Sequence, residues 1–163
     1  LCDGGSWKKH RAVMFLDPYG MQVNWKSIEL IAETKAIDLW YLFPLGIGVN
    51  RLLKKQKGNI PESWSKRLDD MLGTKEWQED FYSTVENNTL FGNEEKIIKD
   101  TSFSKISNFI IKRLKLIFPG VAENPLLLHN SKNNPLYLLC FAAGNDKGAK
   151  TAIKIAQDIL KGK

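Results

Sequence analysis

Cysteine and histidine are scarce in this 163-residue chain, which contains two of each. The cysteines, Cys2 and Cys140, cannot supply a four-ligand cluster, and their wide separation in sequence gives no evidence for a disulfide. Neither His10 nor His129 has a cysteine, histidine or acid at the spacing that metal ligands need. We therefore expect no metal centre and no disulfide framework, and the composition fits a reducing, cytoplasmic location.

Long apolar runs and glycine-rich signatures are also missing. No run approaches the ~20 apolar residues of a membrane-spanning helix, and the polar amino end is unlike a signal peptide. No G-x-G motif follows an apolar strand, and the G-x-S-x-G motif is absent. The length suits one domain, and the formal net charge of +6 permits nucleic-acid binding without requiring it.

A short apolar run near the amino end predicts a buried strand. Residues 12–16 read AVMFL without interruption, as strands inside a parallel sheet do. The run stops at a turn signal made of Asp17, Pro18, Tyr19 and Gly20. An acid that follows a buried parallel strand lies at the edge where open α/β sheets bind their ligands. Asp17 is therefore the leading candidate for a functional residue.

The next segment completes a strand–helix–strand unit. Asn24 can cap a helix over residues 25–35, because its side chain accepts hydrogen bonds from free backbone amides. The apolar run from Ile37 to Phe43 then predicts a second buried strand. We expect the two strands to be adjacent and parallel, with the helix as their crossover connection.

The remainder of the chain is predicted to add helices and a hairpin. Apolar spacing and glycine or proline breaks place helices within Val49–Lys55, Pro61–Leu72, Trp77–Val85, Glu94–Phe118 and Lys147–Lys161. Residues 58–118 therefore read as a helical insertion beside the sheet. Two strand-like runs, 125–130 and 135–142, flank a short polar turn and predict an antiparallel hairpin.

Two blocks of the chain carry a resemblance to a known family. They are FLDPYGMQVNWKSIELIAETKAIDLWYLFPLGIGVNRLL, from Phe15 to Leu53, and PLYLLCFAAGNDKGAKTAIKIAQDIL, from Pro135 to Leu160. Both closely resemble the bacterial three-Cys-motif partner proteins, which are similar to class I methyltransferases that use S-adenosylmethionine. In that superfamily an acid–proline–aromatic motif after the fourth strand is catalytic. The DPYG of this chain lacks the second proline of the common D/N-P-P-Y/F form and is nearer to the DPFG of tRNA guanosine N2-methyltransferases.

The resemblance implies a Rossmann-like methyltransferase sheet that begins at its fourth strand and ends in the antiparallel hairpin. Residues 1–163 would be a single partial domain, the carboxyl-terminal half of an enzyme whose glycine-rich cofactor loop lies upstream. The implied reaction is methyl transfer from S-adenosylmethionine to an amino group of a nucleic-acid base. The alternative is a non-catalytic, methyltransferase-like interaction subunit that works with a three-Cys-motif protein.

Each candidate site residue also has a structural interpretation. Asp17 would orient the amino group of the substrate, or it is a turn acid that caps the following helix. Tyr19 would stack on the target base, or it packs against the turn. The basic residues Arg51, Lys54 and Lys55 would neutralise phosphates, or they form a solvated face.

The remaining aromatic and thiol candidates fit a core better than a site. Trp40, Tyr41 and Phe43 could offer a stacking platform, but on a buried strand we expect them to pack in the interior. Cys140 lies in the middle of an apolar run, where a buried and inert thiol is expected.

Overall fold

A mixed sheet is the frame of this α/β protein, and the computed structural model describes residues 7, 9–18, 21–89 and 92–161. In chain order the strands are β1 (Ala12–Leu16), β2 (Ile37–Phe43), β3 (Tyr82–Thr89), β4 (Gly92–Lys99), β5 (Gly120–Val121), β6 (Leu126–His129) and β7 (Pro135–Ala143). The helices are α1 (Trp25–Glu33), α2 (Glu62–Leu72), α3 (Trp77–Asp80), α4 (Phe103–Lys115) and α5 (Ala149–Leu160). The main sheet has the order β1-β2-β7-β5 with β6 also paired to β7, whereas β3 and β4 form a separate hairpin.

The first two strands are adjacent and parallel, which confirms the predicted strand–helix–strand unit. Ala12 lies opposite Ile37 and Leu16 lies opposite Tyr41, without a break in register. Asn24 caps α1, since its Oδ1 accepts a 3.0 Å hydrogen bond from a backbone amide of the first turn. The local cap and the apolar runs therefore agree with the pairing that forms.

The predicted hairpin near the carboxyl end is also present. β6 and β7 are antiparallel, and Asn130 holds the turn between them. Its Oδ1 accepts hydrogen bonds from the amides of Lys132 at 3.0 Å and Asn134 at 2.9 Å. β7 is antiparallel to β2 as well, so the hairpin continues the sheet on the side away from β1.

The two faces of the sheet pack against different helices. One face contributes alternate residues of β2, all buried, to a large core that also contains residues of α1, α2 and α4. The other face packs against α5 through a smaller cluster that includes Phe141 and Ala156. Helices on both faces are the usual way to bury a sheet that contains parallel strands.

One side of β1 carries exposed apolar residues. β1 is at the edge of the sheet, and no strand among the described residues pairs with its second side. Val13 and Phe15 lie on the face that α5 covers farther along the sheet, yet they are 69% and 60% exposed. An unpaired edge beside exposed apolar side chains is a surface that proteins normally cover.

The segment between β2 and β5 departs from the prediction of a helical insertion. α2, α3 and α4 are helices, but β3 and β4 occupy much of the sequence between α3 and α4, where we predicted helices over Trp77–Val85 and from Glu94 onward. These two strands form with the help of a distant contact, since a bridge between Gln56 and Ile98 joins the hairpin to the chain after β2. Helical spacing alone could not reveal such a partner.

The C-terminus of α2 is fixed by a glycine and an arginine. Gly73 has a φ of 68°, in the left-handed region that favours glycine, and a Cβ there would collide with the indole of Trp25. Arg113 of α4 donates hydrogen bonds to the carbonyl oxygens of Leu72 at 3.2 Å and Gly73 at 3.1 Å. Its guanidinium carbon also lies 5.0 Å from the centroid of the Trp25 ring. These contacts hold α1, α2 and α4 together.

We predict that Gly73→Ala lowers the free energy of unfolding by at least ~1 kcal/mol, the cost of a left-handed residue with a Cβ. Displacement of Trp25 should add to that loss. Gly58→Ala is the matched control, since a Cβ at Gly58 meets nothing within 4 Å. Urea unfolding should show a lower midpoint for the Gly73 variant alone, and equal midpoints for both variants would contradict this account of the α2 terminus.

Candidate functional site

Asp17 lies at the carboxyl edge of the parallel pair. It directly follows β1, whose last residue, Leu16, is opposite Tyr41, so β2 continues past the point where β1 ends. The Asp17 side chain is exposed, and in the described part of the chain it has no hydrogen-bond or ion-pair partner. Asn24 caps α1 instead, so the helix-cap interpretation of Asp17 is not supported. Pro18 is buried, and Tyr19 and Gly20 fall outside the described residues.

The chain that follows β1 meets the chain that follows β2. β2 leads through Pro44 into a π-helical segment, Leu45–Asn50. A Cβ at Gly48 would lie 3.0 Å from the Cβ of Pro44 and 3.1 Å from the Cγ of Met21. The two strand ends therefore form one surface, and π-helical turns are frequent at functional sites.

The predicted basic residues are exposed at this end of the sheet. Arg51 belongs to the helical turn, which ends at Leu52, whereas Lys54 and Lys55 come after it. The prediction of a helix through Lys55 was therefore wrong, since the helical turn starts earlier and stops sooner. Lys54 has its Nζ 4.5 Å from the centroid of the Trp64 ring on α2, which is a cation–π distance.

The hairpin of β3 and β4 makes hydrogen bonds that hold the basic segment, residues 51–55, in place. Tyr82 donates a 2.8 Å hydrogen bond to the carbonyl oxygen of Lys54. The Nζ of Lys99 donates to Asn50 Oδ1 at 2.6 Å and lies within hydrogen-bond distance of the carbonyl oxygens of Asn50, at 3.3 Å, and Leu53, at 3.5 Å. Partial burial lowers the pKa of Lys99. Sequence reasoning missed both anchors, because each is about 30 to 50 residues from its partner in the chain.

The aromatic residues of β2 belong to the core, as expected from a buried strand. Tyr41 and Phe43 are 1% and 0% exposed, and the half-buried Trp40 packs on Phe141 with ring centroids 4.8 Å apart. They do not form an open stacking platform. Cys140 is buried as well, and burial raises the pKa of its thiol, so it is not poised as a nucleophile.

Other kinds of site find no support in the described residues. No group of three or more histidine, cysteine, aspartate or glutamate side chains is placed there to hold a metal ion. None of the helices in the same residues is long and apolar enough to cross a membrane.

Comparison of the chain with family models, with curated proteins and with solved structures returned no match.

We predict that Tyr82→Phe lowers the free energy of unfolding near pH 8 by about 1 kcal/mol, the usual net value of one hydrogen bond. Burial raises the pKa of Tyr82 from 10.0 to about 12, so the folded state favours the protonated phenol. The stability that this phenol provides is complete below pH 10 and is lost as the pH rises through about 12. The difference between wild type and variant should therefore shrink at alkaline pH.

The matched control is Tyr137→Phe on β7, because the half-buried Tyr137 hydroxyl bonds to no residue in the described ranges. Its urea midpoint should stay within ~0.5 kcal/mol of wild type at pH 8. A Tyr82 variant with wild-type stability at pH 8 would show that the phenol does not hold the basic segment.

Proposed function

We propose that this chain belongs to a methyltransferase that uses S-adenosylmethionine and acts on an amino group of a nucleic-acid base. The observation that carries the proposal is the exposed Asp17 at the carboxyl edge of a parallel strand pair, without a structural partner among the described residues. The antiparallel β7 beside β2 is the arrangement that the methyltransferase resemblance implies for the end of the sheet. A Rossmann-like methyltransferase sheet is the finer fold that this proposal requires.

Asp17 would act by positioning. A carboxylate accepts hydrogen bonds, so it can take one from the exocyclic amino group of a base and fix the direction of the nitrogen lone pair. Its exposure lets a large substrate reach it. Arg51 and Lys55 lie after the neighbouring strand and would attract the phosphate backbone without reading sequence. Tyr19 remains the proposed stacking partner.

The described residues do not fit S-adenosylmethionine by themselves. No glycine-rich loop follows β1, and the glycines after β2 are already in close contact with the protein. A Cβ at Gly46 would collide with the carbonyl oxygen of Pro135, and Gly48 packs against Pro44 and Met21. The cofactor would supply the methyl group, but the contacts that bind it must come from outside the described residues.

We therefore predict that the 163-residue chain alone binds S-adenosylmethionine weakly or not at all. Isothermal titration calorimetry with the chain at ~50 μM should give no saturable heat. A ligand with Kd above 1 mM, which corresponds to a binding free energy weaker than about −4 kcal/mol, leaves most of the chain unoccupied at that concentration. Stoichiometric binding at micromolar Kd would show that the 163-residue chain does contain a cofactor site.

We predict that Asp17→Ala lowers single-turnover methyl transfer by ~100-fold or more while the fold persists, because a misplaced nucleophile loses about that factor. The assay uses the protein purified from its own cell, with any partner retained, and tritiated S-adenosylmethionine. Asp17→Asn should keep part of the activity, since both residues occur in the motif of the superfamily.

The control for the Asp17 variants is Asp146→Ala. Asp146 is also exposed and also follows a strand, but β7 is antiparallel to β2 and ends at the opposite edge of the sheet. Its activity and thermal unfolding should match wild type. An Asp17→Ala protein with full activity would contradict a catalytic role for Asp17. A variant that unfolds would show that Asp17 is needed for the fold instead.

The second candidate function is a non-catalytic interaction subunit. The side of β1 that no described strand pairs with favours it, as do the exposed Val13 and Phe15, because another polypeptide could add a strand there. A three-Cys-motif protein is the partner that the family resemblance implies. Loss of methyl transfer in Asp17→Ala would favour the enzyme, whereas a protein that never transfers methyl groups would favour the subunit.

A further inference from the structure

A cleft of about 360 Å³ lies between α2 and the chain that follows the Asp17 motif. One wall is the segment Met21–Asn24, which starts four residues after Asp17. The other wall is the face of α2 that carries Ser63, Lys66, Arg67, Asp70 and Met71. One wall of the cleft thus begins a few residues after the proposed catalytic residue in the chain.

The two cationic side chains of this cleft differ in whether an acid already binds them. Arg67 is exposed and has no hydrogen-bond or ion-pair partner in the ranges that the structure describes. Lys66 is also exposed, but its Nζ lies 2.8 Å from a carboxylate oxygen of Asp70. An incoming anion would therefore meet Arg67 as a free guanidinium, while Lys66 is shared with an acid.

The cleft is connected to the basic segment after β2. Trp64 lies on α2 three residues before Arg67, on an adjacent part of the helix surface. Its ring holds the Nζ of Lys54 at 4.5 Å. A strip formed by Lys54, Trp64 and Arg67 therefore leads to the cleft, whose other wall is the segment Met21–Asn24.

We propose that this cleft binds a backbone phosphate of the nucleic-acid substrate, with Arg67 as its main ligand and Lys66 and the Ser63 hydroxyl as supporting donors. The proposal rests on the proposed function, since a strand held along this strip would pass the exposed Asp17. A guanidinium can bind two phosphate oxygens at once, which a lysine cannot do. Asp70 opposes any anion, so the contribution of Lys66 should be smaller.

The test is fluorescence anisotropy of the whole chain with labelled single-stranded RNA and DNA oligonucleotides of ~15 nucleotides. Arg67→Gln should weaken binding by ~10-fold, a typical loss for one charged contact, and should reduce the salt slope by about 0.7, the value for one phosphate on a single strand. Lys66→Gln should have a smaller effect in the same direction. Arg67→Lys should restore the salt slope and part of the affinity.

Lys112→Gln is the matched control, because Lys112 is also an exposed cation on a helix, α4, and lies outside the cleft. Its affinity and slope should equal those of wild type. Unchanged binding in Arg67→Gln, together with a loss in Arg51→Gln, would overturn the cleft proposal and leave the proposed substrate class intact. A wild-type chain that binds neither oligonucleotide would overturn both.

Discussion

The parallel pairing of β1 with β2 is the contact on which the rest of the structure depends. Its register brings the carboxyl ends of both strands to one edge, where Met21, after β1, lies beside Gly48 of the π-helical segment after β2. A shift of one residue would turn Val13 and Phe15 into the core and move Met14 out of it. The apolar alternation of β2 opposes such a shift, because its buried residues already fill the larger cluster.

A second constraint acts at a distance from the sheet. The basic segment has little regular structure of its own beyond Leu52, and the base of the β3–β4 hairpin supplies its hydrogen bonds through Tyr82 and Lys99. The cation–π contact from Lys54 then orients this segment toward α2. Contacts with distant parts of the chain, and not the local sequence of the segment, therefore hold its positive charge at the carboxyl end of β2.

The sequence predicted the elements whose signals are local. The apolar runs of β1 and β2, the Asn24 cap and the polar turn over residues 131–134 all act within a few residues, and the structure has each of these features. The β3–β4 hairpin was missed because its attachment to residues 54–56 is formed only in the folded chain.

The same limit applied to the candidate site. Asp17 and the basic residues could be named from the sequence, because an acid after a buried strand and a run of cations are visible there. Arg67 could not, because an arginine on an amphipathic helix has no distinguishing pattern. Its proposed role depends on the packing of α2 beside Met21–Asn24, the segment that follows the Asp17 motif.

The central claim is that the carboxyl edge of the β1–β2 pair is the surface that meets nucleic acid. Photo-crosslinking of the chain to RNA that contains 4-thiouridine, followed by mass spectrometry of the peptide adducts, tests it most directly. The account predicts adducts within residues 17–24 and 51–71. Adducts confined to α5, or to the turn between β6 and β7, would contradict it.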